Sequence, residues 1–277
     1  MADKFYLTTP LYYVNGAPHV GHAYTTVIAD AITRYKRLCG LKVFSLTGTD
    51  EHGLKIERAA QDQGMTPKKL TDTYAAAFAE AWSQLGLYFD ESIRTTEERH
   101  HRTVVEVFKS IKGNNFIYLG EYEGNYCVNC EAYAPEGQET CLDCGRTAEH
   151  MTEQSYFFKL SAFQKKLLKF YKENPNFVVP ATRMNEIISF VRGGLKDLSI
   201  SRTSFRWGIH VPESKGHIFY VWFDALAGYL SGIGFGTRPE DFQLLWPADV
   251  QLIGKDILRF HAVYWPAFLM AAGLELP

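Results

Sequence analysis

The sequence predicts an α/β protein, a doubly wound parallel sheet interrupted by an α+β insertion. Three observations lead there. The first third alternates strand and helix patterns in the order of a βαβ unit. The last segment returns to that alternation. Between them lies a stretch of tyrosine-rich strands, paired cysteines and two helix patterns, with no repeat and no low-complexity tract. A length of 277 residues suits two domains, or one large domain with an insertion, at ~150 residues per domain.

The elements follow in order. Residues 5–9 read as a strand, and Pro10, Asn15-Gly16 and Pro18 mark an irregular loop after it. A helix pattern runs from about Gly21 to Leu38 with Ile28, Ile32, Tyr35 and Cys39 on one face, and Gly40 stops it. Cys39 is therefore expected in the core. Residues 43–46 read as a second strand. Helices are expected near 53–63, near 67–85, where Thr66 caps and Pro67 fills the first turn, and near 96–112. In the middle stretch helices are expected at 162–173 and 181–193. The first carries Lys165, Lys166, Lys169 and Lys172, which suit either a solvated face or a contact with a phosphate backbone. Residues 218–223 are apolar on both faces, as in a buried parallel strand, with Asp224 opening a helix. Residues 250–253 read as another strand, followed by Gly254-Lys255-Asp256 and a helix with Ile257, Phe260, Tyr264 and Phe268 on one side. The expected division is 1–115 and 216–277 as two halves of one domain, around an insertion at 116–215.

Composition excludes several classes. Apolar residues at 46% and charged residues at 22% can bury a full core, so disorder and a small stapled scaffold are ruled out. Twenty-nine Lys+Arg against thirty-one Asp+Glu give a net charge of −2. That argues against gripping nucleic acid through bulk positive charge and leaves a local basic patch open. No apolar run approaches the ~20 residues that span a bilayer. Met1-Ala2-Asp3-Lys4 lacks a signal-peptide layout. A soluble, cytoplasmic protein is expected.

Four of the five cysteines, Cys127, Cys130, Cys141 and Cys144, form two Cys-x-x-Cys pairs ten residues apart, within a knuckle at about 122–149. In a chain without secretion signals this spacing points to metal rather than disulfides. Four thiolates on two hairpins suit a tetrahedral structural Zn2+, and a redox dithiol is the alternative.

The loop after the first strand ends in His19-Val20-Gly21-His22, where the first helix begins. A helix N-terminus offers free N–H groups to an anion, and two imidazoles there could stabilise a phosphate whose charge grows in a transition state. Gly21, without a side chain, leaves room for a flat ring on the backbone. A pair of capping or surface histidines is the plain alternative.

These residues resemble the first signature of the class I aminoacyl-tRNA synthetases. Gly48-Thr49-Asp50-Glu51-His52-Gly53 is similar to a second loop of that class. Leu252-Ile253-Gly254-Lys255-Asp256-Ile257 with Phe260-His261 is similar to the subset that activates hydrophobic amino acids. Tyr220-Val221-Trp222-Phe223-Asp224-Ala225 with Tyr229 resembles the methionine-specific branch, and the likeness runs through the whole chain. It implies a Rossmann-type catalytic core with a zinc knuckle in its connective insertion, near the incoming acceptor end of tRNA. It implies ATP, accompanied by Mg2+, L-methionine and tRNA(Met) as partners, and no membrane. It implies that His19 and His22 are catalytic and stabilise the triphosphate during adenylate formation, that Lys255 binds ATP, that Gly21 lies under the adenine, and that Asp50, also catalytic, holds the substrate ammonium. Leu11, Tyr13, Trp222, Ala225, Tyr229 and His261 would enclose the methionine side chain, and Arg202 would act in catalysis. Without the likeness, Asp50 reads equally as a turn former, the aromatic set as core, and Arg202 as a salt-bridged surface residue. Tyr12 and Leu226 stand where the branch carries proline.

The insertion of about 100 residues is too short for the editing domain of the isoleucine, valine and leucine relatives. No Lys-Met-Ser-Lys-Ser loop and no helical anticodon-binding domain is found. The expectation is therefore the catalytic front portion of a methionine–tRNA ligase, with the rest removed or carried on a second polypeptide. The alternatives are a non-catalytic zinc-containing fragment that binds methionine or tRNA, and half of a split synthetase.

Overall fold

The computed structural model describes residues 4–134, 137–141 and 144–277. Met1, Ala2 and Asp3 of the N-terminal stretch, and Leu142 and Asp143 inside the second cysteine pair, lie outside the described residues. Strand β1 (Lys4–Tyr13) leads through helix α1 (Val20–Leu38) to strand β2 (Lys42–Asp50). Helices α2 (Leu54–Asp62) and α3 (Pro67–Gln84) precede β3 (Glu91–Arg94) and α4 (Glu98–Gly113). The middle of the chain holds β4 (Ile117–Cys127), β5 (Ala132–Tyr133), β6 (Glu149–Phe158), α5 (Gln164–Glu173), α6 (Ala181–Arg192), β7 (Leu198–Ser199) and β8 (Ser201–Arg202). After β9 (Ile218–Phe219) come α7 (Val221–Leu226), α8 (Gly228–Ser231), α9 (Pro239–Leu245), β10 (Val250–Gln251) and α10 (Trp265–Ala272).

The α/β class expected from the sequence is the one observed. One sheet has the order β10-β1-β2-β3, and every pair in it is parallel. The chain builds outward from β1 to β3 and later adds β10 on the other side of β1. The order thus reverses between β1 and β10, and open parallel sheets bind ligands beyond the carboxyl ends of strands at such a point. Side chains alternate across the sheet. Tyr6, Leu46 and Ile93 join the core with Val104, Val107, Phe108 and Ile111 of α4. Phe5 and Leu7 face the other way, onto Ala29 of α1. A second sheet, β5-β4-β6-β7, is antiparallel, and the β4–β6 ladder runs from Ile117↔Phe158 to Tyr126↔Glu149. No helix of the described residues is long and apolar enough to cross a membrane.

Pro10 sits inside β1, a central strand, although it has no N–H to give a neighbour. The register shifts between Thr8 and Leu11, the kind of bulge that accommodates such a residue. Pairing then resumes with Leu11 opposite Gly48 and Tyr13 opposite Asp50. The stretch after Thr9, read from sequence as loop, is therefore strand as far as Tyr13. The bulge fixes which side chains stand at the end of the sheet.

Three expectations are corrected. Cys39 is not core: it is exposed, as the C-cap residue of α1. The face of α1 laid on the sheet consists of Thr26, Ala29, Asp30 and Thr33, small or short residues at helical spacing. Tyr35, on the stripe that looked apolar, is 63% exposed. Residues 218–223 do not form a strand of the parallel sheet. Ile218 and Phe219 pair antiparallel with β8, and a helix begins at Val221. Asp224 lies inside that helix rather than opening it. All of these residues are buried, and an apolar run reports burial without telling strand from helix. The four lysines of α5 are exposed, beside a buried stripe of Leu167 and Tyr171.

Candidate active site

Four carboxyl-terminal ends converge on the switch point: Tyr13 ends β1, Asp50 ends β2, Arg94 ends β3, and Gly254-Lys255 follow β10. On the α1 side the site is open. His19 is the N-cap of α1, and its Nδ1 accepts the Gly21 N–H at 3.1 Å. The His19 N–H points to His22 Nδ1 at 3.3 Å, and the two rings stack at 3.7 Å between centroids. His22 rests on Tyr12 and Phe78, each ring 5.0 Å away. Burial first, then the charges of His19 and Lys55, bring its pKa down to about 4, so it is neutral at pH 7. A Cβ on Gly21 would stand 3.0 Å from His19 Cε1, so glycine keeps the imidazole and the helix start in contact. Lys255 stands exposed in the 3-10 turn after β10.

On the other side the site is closed. Asp50 is 2% exposed, and its Oδ1 has no hydrogen-bond partner. The Tyr13 hydroxyl, on the neighbouring strand, is also buried without a partner. Burial, then the charges of Asp224 and Glu131, push the Asp50 carboxyl well above its ordinary range. A buried carboxylate with a free oxygen is costly unless a cation or donor meets it. Trp222 stacks flat on Phe260 at 3.8 Å and meets Tyr13 edge-on at 6.4 Å. Ala225 and Tyr229 are buried beside it on α7 and α8. Tyr229 Oη lies 2.7 Å from His261 Nε2, and His261 Nδ1 lies 3.0 Å from the Ile257 carbonyl. Burial lowers His261 to about 4, so it is neutral. Its Nδ1–H gives to the carbonyl and its Nε2 accepts from the tyrosine. Phe260–Tyr264, which carries His261, is a turn of π-helix. Leu11 is held tightly: a Cβ on Gly228 would come within 2.3 Å of Leu11 Cδ1, and one on Gly48 within 2.9 Å of Leu11 Cδ2. Tyr12 and Leu226 are both buried, and Tyr12 Oη bonds Thr26 Oγ1 at 2.8 Å.

Arg202 stands apart from the other predicted catalytic residues. It is 1% exposed, so it is no surface arginine. Its guanidinium lies over the rings of Tyr126, Tyr133 and Tyr220 at 4.9, 4.8 and 4.7 Å. It bonds Ser199 Oγ at 3.0 Å and the Ser201 carbonyl at 2.6 Å, and its Nε is 3.6 Å from Glu153. None of these contacts is with His19, His22 or Asp50.

The cysteine cluster is assembled. The Sγ atoms of Cys127, Cys130, Cys141 and Cys144 all lie within 4.8 Å of one another. Cys127 and Cys144 are 3.6 Å apart, too far for a disulfide. A tetrahedron with Zn–S near 2.3 Å has edges of about 3.8 Å, so the four sulfurs fit zinc. The knuckle touches the pocket wall, since Trp222 Nε1 donates to the Cys130 carbonyl at 3.5 Å. A cleft of about 330 Å³ between α2 and the knuckle is lined by Asn15, Lys55, Arg58, Asn129 and Arg146, among others.

Sequence reasoning passed over a buried network behind Asp50. Asp224 accepts from His52 Nδ1 at 2.7 Å and from His100 Nε2 at 2.6 Å. Its signal was an acidic residue inside an apolar run. Glu51 was passed over too; it is fully buried and held bidentately by Arg94 at 2.6 and 3.0 Å.

Comparison with known proteins decides the family. The profile of the tRNA synthetases class I (M) matches residues 5–150 and 137–277. The chain belongs to that family. It is 51% identical over 280 residues to the methionine–tRNA ligase of Rickettsia bellii, covering 100% of this chain and 55% of the relative. With the methionine–tRNA ligase of Thermotoga maritima it shares 50% identity over 281 residues, covering 99% of this chain and 45% of that one. Among solved structures, the Mycobacterium tuberculosis methionyl-tRNA synthetase in complex with methionyl-adenylate superposes with a TM-score of 0.97 at 49% identity, over 99% of this chain and 56% of that one. The free form of the same synthetase gives a TM-score of 0.83 at 45% identity, over 100% of this chain and 55% of that one. The chain thus spans about half the length of the relatives it matches.

Proposed function

We propose that this chain is catalytic machinery of a methionine–tRNA ligase, which joins L-methionine to ATP as methionyl-adenylate and passes the methionyl group to tRNA(Met). The observation that carries the reading is the pair of orphaned buried groups, Asp50 Oδ1 and the Tyr13 hydroxyl, on opposed ends of β1 and β2 beside Trp222. A primary ammonium answers both: it pairs with the carboxylate and gives the phenol oxygen a donor. The thioether then lies among Leu11, Trp222, Ala225, Tyr229 and His261, soft aromatic surroundings that suit sulfur. The methionine carboxylate faces the start of α1, where it attacks the α-phosphorus of ATP and pyrophosphate leaves. His19, His22 and Lys255 stabilise the charge on the phosphates, and Gly21 offers a flat seat to the adenine. Mg2+ accompanying ATP supplies further charge neutralisation. Arg202 acts through the tyrosine cage behind the pocket rather than on the phosphates. The zinc is structural, because four thiolates leave no open position.

The halves 1–115 and 216–277 serve as the catalytic domain and 116–215 as its connective insertion. The shared parallel sheet of β1, β2, β3 and β10 supports this division. The cleft with Lys55, Arg58 and Arg146 receives the acceptor end of the tRNA. We place this work in the cytoplasm, with tRNA and ATP. Calorimetry tests the amino-acid specificity: methionine binds, and isoleucine and leucine bind at least tenfold more weakly. Equal affinities would overturn the methionine assignment. A second reading, a binding fragment or half of a split enzyme, draws on the chain's spanning half of its relatives. ATP–pyrophosphate exchange that appears only on adding a polypeptide matching the other half of those relatives would favour it.

A further inference from the structure

The turn between β4 and β5 holds a buried carboxyl with no part in the function proposed above. Glu131 follows Cys130 of the cysteine cluster and is fully buried. Its backbone is left-handed, with φ at 50°. Among the described residues two other non-glycine residues have positive φ, Asn115 and Glu213, and both are exposed. Side chains rarely take this conformation, and it persists where the surroundings over-determine it. The surroundings of Glu131 do so. Its carbonyl accepts from Tyr220 Oη at 2.6 Å, at the residue that precedes α7. Its Oε2 meets the Tyr126 hydroxyl. Its Oε1 accepts the backbone N–H of Lys55 at 2.8 Å.

That last bond is a helix cap supplied from a distant part of the chain. Lys55 is the second residue of α2, where the N–H has no partner inside the helix. The N-cap residue is Gly53, which has no side chain to offer. Its φ is 101°, and a Cβ there would stand 2.7 Å from Glu131 Oε1 and 3.4 Å from Val221 Cβ. The Glu131 carboxyl thus packs against the bare N-cap and answers the N–H that a capping side chain would have met. The loop ending in this cap begins at Asp50, whose carboxylate takes the His52 N–H. Trp207 clamps the same loop: its Nε1 donates to the Glu51 carbonyl, and its carbonyl accepts the Gly53 N–H at 3.1 Å. Lys55 in turn sets its Nζ 4.8 Å from the centroid of the Tyr13 ring, whose hydroxyl is the other orphaned group.

We propose that Glu131 is a positioning residue for methionine: its carboxyl caps α2 from the cysteine knuckle and so holds residues 50–53, with Asp50 among them, in the arrangement that meets the substrate ammonium. The inference rests on the reading of Asp50 given above. The charge of Glu131 works against Asp50 rather than for it, since it helps to push the Asp50 carboxyl up. What Glu131 contributes is the hydrogen bond, which an uncharged acceptor of the same length also supplies.

Amide exchange of the wild-type chain, read residue by residue by NMR with and without saturating methionine, tests this before any variant has to fold. The Lys55 amide should exchange about tenfold more slowly with methionine bound, because a cap that favours binding is favoured by it to the same degree. Bound methionine with an unchanged Lys55 amide overturns the proposal. Calorimetry then follows methionine binding in two variants. Glu131→Ala should weaken methionine about tenfold, the scale of a lost helix cap, and strip protection from Lys55. Glu131→Gln keeps the acceptor and should return the affinity to within about threefold of wild type. A general loosening of the fold predicts instead that amides of α1 and α10 lose protection together with Lys55, and that Gln fares no better than Ala. Either result overturns the assignment. A wild type that binds no methionine while its Lys55 amide is protected fails the reading of Asp50, and the positioning role falls with it.

Discussion

Around Asp50 the site is closed, and around His19 it is open. Trp222, Ala225, Tyr229 and His261 are each no more than 7% exposed, as is Asp50 itself. Their contacts are side chain on side chain, formed before any ligand arrives. At the start of α1, His19 and Gly21 are exposed, and so is Lys255, with its ammonium on offer. Under the function proposed above, the contrast fits two tasks. A small amino acid must be told from its isosteres, which needs a rigid cavity and a desolvated counter-charge. A triphosphate must enter and pyrophosphate must leave, which needs charge without enclosure. The closed end carries a standing cost, because it holds the Asp50 carboxyl out of water with one oxygen unpartnered.

Asp50→Asn is the largest perturbation of the closed end. It should weaken methionine by at least 100-fold, on the order of the 3–5 kcal/mol lost when one partner of a buried ion pair is removed. It should also raise the melting temperature. Asp50 has a folded pKa above its unfolded value, so the folded state loses stability as pH rises out of the ordinary carboxylate range, and at neutral pH the charge is a net cost. Calorimetry and a thermal melt at pH 7.5 check both halves. Tight binding, or a lower melting temperature, would break the comparison.

At the open end, His19→Ala or His22→Ala should slow ATP–pyrophosphate exchange by about 100-fold, the scale of one lost transition-state donor. Methionine affinity should stay within about twofold. An equal loss of methionine binding would show that the two ends are not separable. Exchange is measured on the chain alone and with the complementary half of its relatives added.

Tyr229→Phe is milder. It strips the donor from His261 Nε2, and an unsatisfied buried acceptor costs ~1 kcal/mol or more, so methionine affinity should fall by about fivefold. The pH dependence of stability is a separate readout of the same residues. His261 and His22 both titrate near 4 in the folded chain, below the unfolded value, so the unfolded state binds more protons between about pH 4 and 6.5. Stability should therefore rise with pH across that window and level off above it. His261→Gln should flatten the slope by about 3 kcal/mol in total between its ends. Urea titrations at several pH values measure this. Chelation of zinc should weaken methionine binding by up to about tenfold, because the knuckle carries Glu131, whose carbonyl accepts from Tyr220 Oη at 2.6 Å, and meets Trp222 at the Cys130 carbonyl. It should still lower the melting temperature.

The architecture was legible wherever a pattern is local. The βαβ alternation gave the parallel sheet, and the cysteine spacing marked the four thiols that meet. The histidine signature marked the start of α1. Legibility failed where two readings share one pattern. The stripe through Ile28, Ile32, Tyr35 and Cys39 looked like a buried face, but the sheet takes the small residues beside it. Residues 218–223 are apolar because they are enclosed, and enclosure does not specify a strand. The network of Asp224 was out of reach for another reason. His52 and His100 lie 172 and 124 residues from it in the chain, and no local spacing registers partners so distant.

The π-turn at Phe260–Tyr264 has a consequence for what lengths of chain this region can tolerate. A π-turn holds one residue more than an α-helix needs over the same span. Removing a single residue there would restore regular helical bonding while rotating everything on one side of the cut by about 100° relative to the other. Phe260 and His261 would then leave Trp222 and Tyr229, although every side chain involved was still encoded. The register of this turn works as a gauge block: its dimension, as much as its composition, sets the shape of the cavity wall. A one-residue deletion here should therefore be more damaging to ligand selection than to folding.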